Sequence, residues 1–411
     1  MGAREERGLE IAAKKNLKRK GDLWLVPSQA GGGTYVVDPT DAMPPCSCPD
    51  FETRGERCKH VFAVEFTIQR ETNAADGTTV KETVRLTYRQ EWSSYNAAQV
   101  NEKERVAVLL HDLCAAIDNP AQGRGRPKFP LSDAVFCAVM KVYGGTSGRR
   151  AMTDMRDYEA KGYIDKAPHY NSVFNAFENP DLTLILSAMI EESAKPLFAI
   201  ETDFAVDSTG FSTSEYRRWY SAKYGREMTA SKFLKAHVSV GTRTNVVTAV
   251  EVTDAFTHDS HMFRPVFERT AQRFKVLRVS ADKAYSSSRI IGLVDDAGAT
   301  AYIPFKKNST GLKPNRFNPS RSRNLWAKAF HLFMYQREEF LAHYHQRSNV
   351  ETTFHMIKAK FGSRIRSKMP VAQTNEILCK VLCHNLCCLV SAFYELGVEA
   401  EFWKASEPMV S

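Results

Sequence analysis

Residues 344–362 read YHQRSNVETTFHMIKAKFG, and the reading of this stretch decides the rest of the chain. At about 100° per residue, Tyr344, Arg347, Glu351 and Lys358 fall within a ~60° arc of one helix. Val350, Phe354, Ile357 and Phe361 follow the spacing of a buried stripe on the flank of that arc. A phenol, a guanidinium, a carboxylate and an ammonium thus share a ridge beside the packed face. Charge so near a core costs desolvation unless it is paired or bound to something. A salt-bridged surface helix accounts for Glu351 and Lys358 alone. It does not account for the rest of the chain around them.

The chain has 411 residues, enough for two or three domains and a substantial core. Its 43% hydrophobic and 25% charged residues are ordinary for a water-soluble protein. The net charge of +9 is unevenly spread. Residues 302–368 hold fourteen Lys/Arg against only Glu338, Glu339 and Glu351, a surplus of eleven, so the remainder is slightly acidic. A concentrated basic segment attracts a polyanion, and nucleic acid is the usual one. No run of 18 or more apolar residues is evident, so no membrane span is expected. The opening MGAREERGLE has no apolar h-region, so a secretory signal is not expected either, and a cytoplasmic protein follows.

Along the chain, Lys14–Lys20 reads as a basic helical stretch, and LWLVPS (23–28) and TYVVD (34–38) read as a strand pair around Gly31–Gly33. Residues 73–120 read as a linker that turns helical at EKERVAVLLHDLCAAI. GRGRPKFP (123–130) is a basic arm punctuated by Gly and Pro. Residues 131–197 read as all-helical, which suits a helix-turn-helix type unit or a plain bundle. From residue 200 short Val/Ala/Thr-rich runs take over: FAVDSTGF (204–211), KAHVSVG (235–241), NVVTAVEV (245–252), VLRVSAD (276–282) and ATAYIPF (299–305). The turn GTRT joins the second and third as a hairpin. Helical segments separate the later ones, and a long helix is expected at 325–361. The class is mixed α/β.

Cys46-Ser-Cys48, nine residues, then Cys58-Lys-His60 supply three thiolates and an imidazole, a donor set preferred by Zn²⁺. Residues two apart in extended chain point to one side, so each pair can grip one edge of the metal. Four protein ligands leave no open position, which marks a structural zinc. The pattern resembles the SWIM-type zinc finger over about residues 8–66, a family that binds DNA or protein. The later cysteines, Cys379, Cys383, Cys387 and Cys388, lie with His384 on an apolar helical run. They read as small core residues, with a metal site as the alternative.

Asp207 follows FAV and Asp282 follows VLRVSA, so each is placed at the end of a buried strand. Singly, such acids read as caps or turn residues. With Glu351 on its helix they form three oxygen donors from separate elements, a set suited to two Mg²⁺ ions in phosphodiester displacement. Arg347 and Lys358 could then neutralise phosphates, and Tyr344 could donate to one or stack on a base. Asp203, Asp254 and Asp259 are nearby acids in a supporting or turn role. Lys283 and Trp326 are further candidate DNA contacts.

Tyr344, Arg347, Glu351 and Lys358 match the Tyr-x₂-Arg-x₃-Glu-x₆-Lys signature, and the chain over about 125–395 resembles the DDE transposases of prokaryotic insertion sequences. The resemblance implies an RNase H-like mixed-sheet catalytic core. It implies Asp207, Asp282 and Glu351 as catalytic ligands of Mg²⁺ (or Mn²⁺), and Tyr344, Arg347 and Lys358 as contacts to the transposon end. Its implied partners are DNA, both ends and target, and a second copy of the chain in the synaptic complex, with work done in the cytoplasm at the nucleoid. A catalytically silent DNA-binding descendant and a nuclease of the same fold are the alternatives. The 68 residues between Asp282 and Glu351 are too few for the large β-rich insertion some members carry there, so no hairpin step is assigned. The expected division is a zinc finger at 1–72, linker and helix at 73–120, an all-helical DNA-binding unit at 121–197, the catalytic domain at 198–365, and a buried helix with tail at 366–411.

Overall fold

A computed structural model describes residues 17–28, 34–40, 44–75, 92–119, 129–213, 233–311 and 321–403, together with 4, 7–8, 11–12 and 121. Lys14, the Gly31–Gly33 turn, residues 76–91 of the expected linker and most of the 123–130 arm lie outside the described residues. The chain forms two compact units, 1–90 and 91–411.

In the first unit β1 (Lys18–Lys20), β2 (Leu23–Pro27) and β3 (Thr34–Val37) form an antiparallel meander. Lys18–Lys20 is therefore a strand, not part of the expected basic helix: Gly21, at φ 63°, turns it back to pair with β2. Alternation along β2 buries Trp24 and Val26 on one face. They pack with Val37, Val61 and Val64 around the cysteine cluster. Two helices follow, α1 (Pro49–Arg54) and α2 (Lys59–Ala75).

The second unit centres on a five-stranded sheet of β4 (Asp203–Ser212), β5 (Phe233–Gly241), β6 (Val247–Asp254), β7 (Arg278–Ala281) and β8 (Thr300–Tyr302), in the order β6-β5-β4-β7-β8. β6, β5 and β4 are antiparallel, and β4, β7 and β8 parallel. This is the mixed sheet expected of an RNase H-like core. The expected hairpin forms through GTRT, and its turn is clamped by buried Glu201, whose carboxylate accepts from Arg243 N (3.1 Å) and Thr244 Oγ1 (2.7 Å).

Helices cover the sheet. Ahead of it run α3 (Trp92–Cys114), α4 (Leu131–Tyr143), α5 (Met152–Ala160), α6 (Tyr170–Glu178) and α7 (Pro180–Ala194). Among and after the strands come α8 (Asp259–Ala271), α9 (Ser288–Asp296), α10 (Arg321–Tyr335), α11 (Arg337–Tyr344), α12 (Ser348–Phe361) and α13 (Pro370–Leu396). α13 packs against α3, α4, α6, α7, α12 and β6, so the leading helices, the sheet and the last helix share one hydrophobic core.

Among the described residues α13 alone is long and apolar enough to cross a membrane, and 78% of its apolar window is buried within the protein. Its polar residues are used internally. Asn385 Nδ2 donates to Val247 O (2.7 Å), and Lys380 Nζ donates to the carbonyls of Gly362 (2.9 Å) and Arg364 (2.6 Å). His384 Nε2 lies 2.8 Å from Asn245 O, and burial pushes the Cys379 and Cys383 thiols up. These cysteines serve as small core residues.

Two expectations change. The helix expected at 325–361 is divided, first at Gln336 (φ −113°, ψ 47°) and again by a 3₁₀ turn at His345–Arg347. The β4 strand does not end at Asp207 but runs to Ser212, because β5 continues to pair with it as far as Phe233. Beyond that, Ile365 N donates to Ser212 O (2.9 Å) and extends the edge.

Candidate active site and zinc centre

The register of two parallel strands sets the site. β4 and β7 pair up to Val206↔Ala281, so the residues that follow, Asp207 on β4 and Asp282 just past the end of β7, are carried out from neighbouring strands, which lie ~4.8 Å apart in a sheet. β7 ends there. Asp282 becomes the cap of a 3₁₀ turn, its carboxylate accepting from Lys283 N at 2.6 Å.

Alternation along β4 then sorts the side chains. Asp207, Thr209 and Phe211 face α12. Arg347 at the start of that helix donates to Asp207 (2.9 Å), Lys358 Nζ donates to Thr209 Oγ1 (2.6 Å), and the same ammonium lies 5.4 Å from the Phe211 ring centre. Val350, Phe354, Ile357 and Phe361 form the buried stripe that seats the helix, as their spacing predicts.

Arg347 bridges two of the three expected acids, donating through Nη1 to Asp207 Oδ2 and through Nη2 to Glu351 Oε1 (2.6 Å). Burial raises the Asp207 pKa above the usual carboxylate value. The Ser208 N–H and Arg347 oppose that rise, while the charges of Asp282 and Glu351 add to it. The three acids therefore share one electrostatic neighbourhood. Burial lowers the Lys358 pKa.

Tyr344 does not sit on the same helix as the other three. A 3₁₀ turn advances about 120° per residue instead of 100°, which rotates Tyr344 by roughly a further 60° from the arc. It remains beside Arg347, its ring 5.9 Å from the guanidinium, and it stacks on Phe340.

The neighbouring acids divide. Asp254 caps its own turn, accepting from Phe256 N (3.0 Å) and Thr257 N (2.8 Å). Asp203 pairs with Arg278. Asp259, expected only as a nearby acid, accepts from Ser208 Oγ (2.9 Å) and Lys235 Nζ (3.1 Å), a cluster with no local pattern in the chain. Lys283 is exposed beside Asp282. Trp326 is 3% exposed, packs on Phe305 and donates to Thr310 O at 2.8 Å, so it is core and not a DNA contact. Its neighbour Phe305 comes from a separate chain segment, whose packing a local pattern does not reveal.

Among the described residues, one group of three or more Cys, His, Asp or Glu has its ligand atoms all within 4.8 Å of one another: Cys46, Cys48, Cys58 and His60, every one buried. The three carboxylates do not form such a group, and Arg347 pairs with two of them. Hard oxygen donors of this kind suit a divalent ion.

In the zinc module each ligand pair has a local reason for its place. Cys46 leaves a bridge to Val37, and Ser47 N donates to Val36 O (3.0 Å). Cys48 caps α1 by accepting from Phe51 N (3.4 Å), with Pro49 pre-set for the first turn. Gly55, at φ 64°, ends α1 in a left-handed cap and returns the chain to Cys58. His60 Nδ1 lies 3.9 Å from Cys46 Sγ and 3.8 Å from Cys58 Sγ, close to the ~3.6 Å edge of a tetrahedron built on ordinary Zn–S and Zn–N bonds. The Cys58 thiol loses its proton most readily, held down by the Cys46 hydrogen bond and, against burial, by His60. Thiolate and imidazole at this spacing fit Zn²⁺ as a structural ion.

Residues 199–386 match the family model described as a transposase DDE domain, and residues 35–69 match the SWIM zinc finger. No curated protein matches the chain. The first match contains Asp207, Asp282 and Glu351, and the second all four cysteine and histidine donors. A transposase domain implies DNA as the partner and suggests a nuclease-type enzyme using divalent metal. The protein thus carries a SWIM zinc finger and, after it in sequence, a transposase DDE domain with an RNase H-like core.

Proposed function

We propose that this chain binds the ends of an insertion sequence, cleaves DNA there and joins the freed 3′-hydroxyl to target DNA. One observation carries the reading: the parallel register that sets Asp207 beside Asp282, under a helix that brings Glu351 to the same charges. Asp207, Asp282 and Glu351 would hold the divalent cations, Mg²⁺ or Mn²⁺. Such ions make an attacking water or hydroxyl more acidic and offset charge on the leaving oxygen.

The chain's own residues do the rest. Arg347 and Lys358 offer cationic donors to the strand being cut, and Tyr344 offers a ring and a hydroxyl beside them. The basic surplus of 302–368 draws the polyanion to the domain. The finger at 1–72 and the helices of 121–197 supply end recognition. Bringing two ends together calls for two copies of the chain, acting at the nucleoid.

The experiment uses the purified full chain with linear DNA carrying the inverted repeats that flank its coding region, in Mg²⁺ or Mn²⁺. Wild type is expected to nick at the ends and to join them to a second duplex. Asp207→Asn, Asp282→Asn and Glu351→Gln are each expected to cut at least ~10³-fold more slowly while still shifting the DNA in a gel. A variant that cuts like wild type overturns the assignment. Cutting without joining selects a nuclease.

A further inference from the structure

One buried hydroxyl beside the acids has no task in the chemistry proposed above. Tyr285 is 2% exposed, and its hydroxyl has no hydrogen-bond partner among the described residues. Withdrawing such a group from water unpaired costs about 1–3 kcal/mol, and folded proteins rarely leave one so without cause. Tyr285 closes the turn that carries Asp282, its N–H donating to Asp282 O at 2.9 Å. Its ring lies 5.8 Å from that of Phe263 on α8. The ring is therefore on the α8 side of the sheet, away from Arg347 and Lys358.

Ser208 points to that side too, since it alternates with Asp207. It links the two faces: its N–H donates to Asp207 Oδ1 (2.8 Å), and its Oγ donates to Asp259 Oδ1 (2.9 Å), which Lys235 also reaches. A serine oxygen that donates once still has lone pairs to offer. The phenol feels the charges of Asp207, Asp259 and Asp282, and Ser208 is the side chain placed as its hydrogen-bond partner, although the contact stops short of a formed bond.

We infer that Tyr285 is a positioning residue for the two strand-borne carboxylates: its ring fixes the turn of Asp282, and its hydroxyl, unpaired in the metal-free protein, closes on Ser208 when cations bind and so holds Asp207 from behind through the Ser208 N–H. The inference rests on the reading of Asp207 and Asp282 as cation ligands. Groups of this kind, one layer behind metal ligands, change metal affinity by about 10–100-fold when removed.

The test is Mn²⁺ binding to the full chain without DNA, by calorimetry, with the melting temperature of the metal-free protein recorded alongside. Tyr285→Phe keeps the ring. It is expected to bind Mn²⁺ about 10–100-fold more weakly, while the metal-free protein melts no lower than wild type because an unpaired hydroxyl has gone. Ser208→Ala is expected to weaken binding as well, and the double variant no further than the stronger single one, as for members of one chain. A residue that only fills the core predicts unchanged affinity for Tyr285→Phe, and that result, or additive losses in the double variant, overturns the inference alone. Asp207→Asn binding Mn²⁺ as tightly as wild type, or a wild type that takes up none, overturns the cation-ligand reading and this inference with it.

Discussion

Replacing Arg347 by Met separates what its guanidinium does for the folded chain from what it does for a bound cation. The side chain makes two ion pairs of unequal weight. The one to Glu351 is an i,i+4 pair with a carboxylate 59% exposed, worth no more than about 0.5 kcal/mol. The one to Asp207 is a charge-assisted hydrogen bond between two groups each 21% exposed, worth about 1.5–3 kcal/mol. The variant should lose roughly 2 kcal/mol at neutral pH without metal, a shift in Tm of at most ~8 °C for a domain of this size.

The pH dependence has a definite sign. Burial holds the Asp207 pKa above its unfolded value of 3.8, and Arg347 is among the groups that limit the rise. Without Arg347 the folded pKa climbs further. A carboxylate raised in the fold costs stability above its folded pKa and nothing below the unfolded one. The deficit of Arg347→Met should therefore be full at pH 7 and fade as the pH falls toward 3.8. Urea unfolding of both proteins in chelator, followed by tryptophan fluorescence across that range, measures it. Because the guanidinium stands between two expected cation ligands, the same variant should bind Mn²⁺ more tightly in the absence of DNA, by up to ~25-fold for 2 kcal/mol released. It should nevertheless cut more slowly. A stability deficit that ignores pH, or weaker Mn²⁺ binding by the variant, would refute the reasoning.

Three other predictions follow from particular contacts. Cys58→Ser, or strong chelation, should unfold residues 1–90, since binding of a structural zinc supplies about 10–16 kcal/mol; limited proteolysis should lose this unit while 91–411 still melts cooperatively. Lys380→Met should cost about 3–5 kcal/mol in urea unfolding, because it leaves buried Glu376 and the Gly362 and Arg364 carbonyls without their cation. Gly241→Ala should destabilise by about 1–3 kcal/mol, because the new Cβ would run into the buried Glu201 carboxylate that clamps the hairpin turn; a Tm equal to wild type would contradict that packing.

The features legible in the sequence were those with short-range causes. The Cys-x-Cys and Cys-x-His pairs, the GTRT hairpin and the apolar stripe of α12 each follow from a periodicity or a turn within some ten residues. What the sequence hid depends on distant partners. Asp207 was expected at a strand end because FAV looked like the last buried run, but the strand continues where β5 and Ile365 supply its hydrogen bonds. Arg347 was assigned to phosphate, and the fold also offers it Asp207, 140 residues earlier. Trp326 lies in a basic stretch, where a surface contact is expected, yet Phe305 from a separate segment packs on it and buries it. Tyr285 carried no local sign, and Asp259 showed only as a neighbouring acid, since their relation to Ser208 joins three elements distant in sequence on one side of the sheet.

The alternation along β4 also says where the site is fixed. Asp207 is held by the antiparallel ladder to β5, one residue past the last pair with β7, and Asp282 by the adjoining turn. A one-residue slip of β4 would turn Asp207 to the α8 face and expose Ser208 in its place, so the register itself is under strong selection by the core. Glu351 has no such constraint. It is exposed, sits in the first turn of α12 just after a 3₁₀ segment, and is held by a single arginine. On the proposed reading the two strand-borne acids are the fixed floor of the site, and Glu351, exposed and next to the 3₁₀ turn, is the ligand that packing constrains least.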